Sequence, residues 1–126
     1  TQRNLNNEGR EQAKYIGEFF KKNKIKIDKV LSSEWCRCKE TAKIAFENFS
    51  TNSFLNSFYS SKYAKNKEKQ IEMLNDYVKK FKSNQNLIFV THYVLISEVL
   101  NYAPSSGEIV VSDKNFNMIG SVEIDY

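Results

Sequence analysis

Histidine is almost absent from this chain: His92 is the only one in 126 residues. Proline occurs once, glycine four times and cysteine twice. So little glycine and proline excludes a collagen-like repeat or a proline-rich tract. No apolar run approaches the ~20 residues that a membrane span requires. Cys36 and Cys38 lie two apart in a helix-like stretch, on nearly opposite sides, an arrangement unsuited to a mutual disulfide. With a single histidine and no second cysteine pair, no zinc set is present and no metal or other cofactor is implied. There is also no arginine-rich, aromatic-interleaved tract of the kind that binds nucleic acid. The net charge of +4 comes from lysines scattered over helical stretches, such as Lys21, Lys22, Lys24 and Lys26. They read as solvated helix faces that weakly favour an anionic small substrate. What remains is ordinary: 40% hydrophobic and 13% aromatic residues, enough for one core and a single domain over 1–126.

The most informative stretch runs from Leu87 to Val99. Leu87 to Thr91 has no polar alternation and reads as a short strand buried on both faces, hence parallel. His92 follows at once, and Tyr93 to Tyr102 carries a helical apolar spacing. His92 therefore stands where a strand ends and a helix begins. In open α/β sheets that edge binds ligands, because helix N-termini aim free N–H groups at anions.

Before it, Asn6 is placed to cap a helix over Asn7–Lys22 with a buried stripe of Gly9, Ala13, Ile16 or Gly17, and Phe20. Lys26 to Leu31 rises into a strand that ends in Ser32-Ser33. Those serines are placed to cap a helix over Glu34–Asn48, with Cys38, Ala42, Ala45 and Phe49 inward. Arg37 sits on the adjoining face, one turn in, where its planar fork can turn back and clamp an anion. A surface pair with Glu34 or Glu40 is the alternative for it. Ser50 to Tyr63, rich in aromatics, predicts a lid or an irregular wall, with an edge strand over Ser53–Phe58. A helix over Asn66–Lys82 follows, with Ile71, Leu74, Val78 and Phe81 inward. After the break at Ala103-Pro104-Ser105-Ser106-Gly107, Glu108–Ser112 and Met118–Ile124 predict an antiparallel hairpin at the sheet edge. The order of elements implies an α/β fold in three layers, helices on both faces of a mostly parallel sheet.

Two strand-to-helix junctions stand out: Leu31-Ser32-Ser33-Glu34-Trp35-Cys36-Arg37 and Phe89-Val90-Thr91-His92. In a parallel sheet both open on one edge, where a guanidinium and an imidazole suit a phosphate. Here the sequence resembles the histidine phosphatase superfamily, with its phosphoglycerate mutase-like fold. Leu5 to Ala13 looks like the family's L-T-x-x-G-x-x-Q-A opening helix. Val30-Leu31-Ser32-Ser33, Arg37 and Glu40-Thr41-Ala42 look like its V-x-S-S-x-x-x-R-x-x-E-T-A. Leu87 to His92 looks like its second-histidine strand, and Pro104 to Val111 like its closing segment. Thr1 to Leu5, Trp35 to Cys38 and Leu55 to Phe58 look like a small bacterial subgroup whose members often carry a secretion signal, which favours a periplasmic or exported protein.

The resemblance implies hydrolysis of phosphate monoesters or phosphohistidine, through a phosphohistidine intermediate and without a metal. Small size leaves little room for a substrate cap, which favours a phosphatase over a mutase. Arg37 and His92 would match the second arginine and second histidine, which hold the phosphate oxygens. Ser33 and Arg3 would border the same phosphate, and Glu108 is the candidate general acid. The partner would be a phosphorylated small molecule or a phosphoprotein. The family's nucleophile belongs to an Arg-His pair on a first, central strand, and no Arg-His occurs in these 126 residues. As the opening-helix motif begins at Leu5, that strand is expected upstream of Thr1, the chain given being N-terminally incomplete. The other readings are a non-catalytic phosphate- or phosphoprotein-binding module and a purely structural domain.

Overall fold

The computed structural model describes residues 4–58 and 61–124, with backbone alone at 61 and 62. Helix α1 spans Asn7–Lys22; the Asn6 side chain accepts from the Gly9 amide, and Glu8 in the first turn and Lys21 and Lys22 in the last suit the helix dipole. Strand β1 spans Ile27–Ser32 and helix α2 spans Cys36–Phe46. The two-residue strand β2, Ser50–Thr51, precedes a 3-10 turn at Ser53–Leu55. Helices α3 (Ser61–Ala64) and α4 (Lys67–Lys80) lead to strand β3, Asn86–Val90. Helix α5 covers Tyr93–Leu100, stopped by Asn101 in the left-handed conformation. Strands β4 (Ile109–Ser112) and β5 (Met118–Val122) close the chain.

β1 is the middle strand of a parallel sheet ordered β2-β1-β3, and β4-β5 form a separate antiparallel pair. The alternation of β3 explains its unbroken apolar sequence. Leu87 and Phe89 pack on one face with Leu31, Phe54, Leu55, Phe58, Leu74, Val78 and Leu95. Ile88 packs on the other face with Ile16, Phe20 and Ala45 of α1 and α2. The sheet thus lies between α1–α2 on one side and α4–α5 on the other. Gly17 permits the close crossing of the first two helices: a Cβ there would stand 2.5 Å from the Ala45 carbonyl oxygen.

Several expectations are corrected. No strand covers Ser53–Phe58; the pairing segment is Ser50–Thr51, and Phe54, Leu55 and Phe58 are buried as core, forming a wall and not a lid. Neither Ser32 nor Ser33 caps α2, whose N-cap is Trp35 with no side-chain cap bond. The helix expected from Asn66 to Lys82 is Lys67–Lys80, with the separate turn α3 before it. Phe49 lies beyond the end of α2. The hairpin forms its own sheet where an edge position on the main one was expected; among the described residues, β3 pairs with β1 alone. No described helix is long and apolar enough to cross a membrane.

Candidate active site

Parallel pairing brings the two junctions together. Ser32 is in register with Val90, and the Ser33 amide extends the ladder by donating to the Val90 carbonyl at 2.9 Å. The Asn52 amide donates to the Ser32 carbonyl at 2.9 Å, and the Thr91 hydroxyl to the Leu55 carbonyl at 2.6 Å. These bonds stitch the C-terminal ends of all three strands into one rigid edge. Helices α2 and α5 both begin there, and no side chain caps either. Their dipoles add positive potential at the same place.

His92 projects into this edge. Its Nε2 lies 2.9 Å from Ser33 Oγ and 3.6 Å from Cys38 Sγ. The Trp35 ring meets the imidazole edge-on at a centroid distance of 4.9 Å, and Tyr63 backs Trp35 at 5.8 Å. Burial, with the Arg37 charge second, lowers the His92 pKa from 6.5 to about 4, so the ring is neutral near pH 7. Burial pushes the Cys38 thiol up to about 11, against smaller lowering effects from Ser33 and then Arg37. Arg37, exposed on the first turn of α2, therefore acts electrostatically on both groups.

The carboxylates that offered Arg37 a bland role have other partners. Glu40 receives the Leu5 amide at 2.7 Å and Arg10 Nε at 3.0 Å, which hold its carboxyl below the usual range. Glu34 Oε1 accepts from Asn56 Nδ2 at 2.9 Å. Among the described residues the Arg37 guanidinium enters no ion pair. It is a cation on a helix whose uncapped N-terminus shares this edge with that of α5, which is the equipment for holding a multivalent anion.

Ser33, read as a phosphate neighbour, is fully buried, with its hydroxyl engaged by His92, Asn56 and the Trp35 amide. Glu108 stands just before β4 and meets the Tyr102 hydroxyl at 2.5 Å and the Ser105 amide at 2.8 Å. The Tyr102 bond first, then the Ser105 amide, hold its carboxyl below the usual range; no hydrogen bond joins it to His92 among the described residues. Arg3 lies outside the described residues. Three participants escaped the sequence reading. Cys38 was legible only as an inward face of α2, Asn56 as one of several polar residues in an aromatic segment, and Gln70 lay outside the stripe of inward residues read for its helix. Gln70 is buried, and its Nε2 donates to the Asn56 carbonyl at 2.9 Å.

Layers, strand order and a cationic strand-end corner define a three-layer α/β protein with a candidate site at its sheet edge. The product of the open reading frame Rv3214 of Mycobacterium tuberculosis has a similar fold, with a TM-score of 0.58 and 16% identity over 82% of this chain and 70% of that one. Residues 1–57 match the family model of the histidine phosphatase superfamily (branch 1). Among curated proteins, none matches the chain. The first 57 residues are thus similar to the histidine phosphatase superfamily, and the fold is of the phosphoglycerate mutase-like kind.

Proposed function

We propose that this domain hydrolyses phosphate monoesters or phosphohistidine, on a small molecule or a phosphoprotein, through a phosphohistidine intermediate. The observation that carries the reading is the arrangement of Arg37 and His92: an unneutralised guanidinium bearing on a neutral imidazole at the one edge where α2 and α5 begin. In the proposed reaction an attacking imidazole forms a bond to phosphorus as the bond to the leaving oxygen breaks. Arg37 and His92 hold the non-bridging oxygens as charge redistributes. The leaving oxygen takes a proton, for which Glu108 is the candidate donor, and water then cleaves the phosphohistidine.

This reading assigns His92 to holding the phosphate oxygens, and the 126 residues contain no other histidine to serve as the attacking imidazole. We infer that it arrives on a further strand paired with β3. The support is the state of that strand. Leu87 to Val90 read as a central strand, apolar on both faces, yet each is only partly buried, whereas Val30, Leu31 and Ser32 of β1 are buried. Among the described residues β3 pairs with β1 alone, and an apolar parallel strand left open on one side is a position that proteins ordinarily fill.

The test is hydrolysis of p-nitrophenyl phosphate by the full-length protein. Arg37→Ala and His92→Ala are each expected to lower kcat/KM by roughly a hundredfold or more. Activity that survives both substitutions unchanged refutes the assignment.

A further inference from the structure

We propose that Asn56, acting through Ser33, fixes neutral His92 as its Nε2–H tautomer and so leaves Nδ1 as the nitrogen offered to a bound phosphate. The argument follows hydrogen atoms. The Glu34 amide lies 2.8 Å from one end of the Asn56 side chain and requires an acceptor there, which must be Oδ1. The Glu34 carboxylate lies 2.9 Å from the other end and requires a donor, which must be Nδ2. The amide therefore has one orientation. The same Oδ1 stands 3.0 Å from Ser33 Oγ; having no hydrogen to give, it takes the single hydroxyl hydrogen of Ser33.

Ser33 Oγ is then an acceptor toward everything else. Besides the Cys38 thiol, which also bears on it, its neighbours are the Trp35 amide at 3.1 Å and His92 Nε2 at 2.9 Å, and both must donate. Cys38 points the same way: its thiol hydrogen goes to the Thr91 carbonyl at 3.7 Å, leaving a sulfur lone pair toward Nε2 at 3.6 Å. An unprotonated Nε2 would face lone pairs from both sides. Nδ1 has no hydrogen-bond partner among the described residues. The relay is anchored from behind by Gln70, which holds the Asn56 carbonyl. Asn56 is thus a positioning residue, not a catalytic one.

The consequence for phosphate rests on the functional reading above. A bare Nδ1 lone pair repels a phosphate oxygen, so the ring must gain a proton as the anion binds. The charged and titratable groups around the ring are Arg37 and Cys38 of α2, Glu34 behind Asn56, and Tyr63 behind Trp35. Arg37 opposes that protonation until an anion offsets its charge.

Long-range proton–nitrogen correlation spectra of the ¹⁵N-labelled full chain test this, with the His92 signals assigned by their loss in His92→Gln. At pH 7 without ligand, Nε2 is expected to be protonated and Nδ1 bare; the reverse overturns the proposal. Asn56→Leu frees the Ser33 hydrogen to turn onto Nε2, so an Nδ1–H population is expected to appear. Asn56→Asp keeps the acceptor and is expected to keep the tautomer. An Asn56→Leu variant that folds with unchanged ring signals overturns the relay, and if that variant does not fold, the wild-type and Asn56→Asp spectra decide. With saturating inorganic phosphate, Nδ1 is expected to gain a proton; phosphate bound with Nδ1 still bare refutes that consequence. Absence of phosphate binding would count against the functional reading and leave the tautomer to the ligand-free spectrum.

Discussion

Gly17→Ala sets two known magnitudes against each other at the crossing of α1 and α2. In an exposed helix interior, exchanging glycine for alanine stabilises by about 1 kcal/mol, through backbone entropy lost by the unfolded chain. Here the new methyl would stand 2.5 Å from the Ala45 carbonyl oxygen and 3.1 Å from the Ala45 carbonyl carbon and Cα. Those atoms belong to the backbone of α2, so no side-chain rotation relieves the contact; the helices must separate. Overpacking of that kind costs about 1–3 kcal/mol, and a clash with backbone belongs at the upper end. The net expectation is a loss of about 1–2 kcal/mol, or a Tm lower by about 4–8 °C for a chain of this size. Gly120→Ala is the control, since its Cβ meets nothing within 4 Å. Thermal and urea unfolding of both variants, followed by circular dichroism, reads the difference. A Gly17→Ala protein as stable as the wild type, or more so, would show that the two helices do not cross this closely. Because α2 carries Arg37 and Cys38, the same variant is expected to lose the proposed p-nitrophenyl phosphate hydrolysis beyond what its stability explains.

Two further outcomes follow from the buried corner. Burial first, and Arg37 second, bring the His92 pKa from 6.5 to about 4. The unfolded chain binds a proton between those values that the native ring does not, so stability is full above pH 6.5 and falls as pH drops toward 4. For this half-buried ring the loss is about 1–2 kcal/mol, visible as a shift of the urea midpoint that His92→Gln does not show; equal acid sensitivity in both proteins contradicts it. Cys38, buried and raised to about 11, is expected to resist iodoacetamide at pH 8 in the native state and to react in denaturant. Mass spectrometry that finds Cys38 alkylated without unfolding would place the thiol at the surface.

The local code of this chain is legible wherever one element suffices to explain a residue. The Asn6 cap, the Ala13–Ile16–Gly17–Phe20 stripe and the unbroken apolar run of β3 each follow from periodicity and backbone chemistry. The Ser50–Tyr63 segment was not legible in the same way. Its aromatics suggest a strand or a lid, but the cavity waiting between β1, β3 and α4 takes Phe54, Leu55 and Phe58 as core. Burial against distant partners overrode local propensity there.

By itself the sequence determined that His92 and Arg37 each stand just past a strand end, because a strand that runs into a helix is a local pattern. Only the tertiary structure decided that Ser33 and Cys38 meet the imidazole and that Asn56 holds Ser33. Those contacts join residues 59, 54 and 23 positions apart in the chain, and they exist only because β1 and β3 pair in parallel register. No spacing rule reaches that far. The orientation of a hydrogen bond depends on which groups the fold brings within 3 Å, and on which of them has already given its hydrogen away.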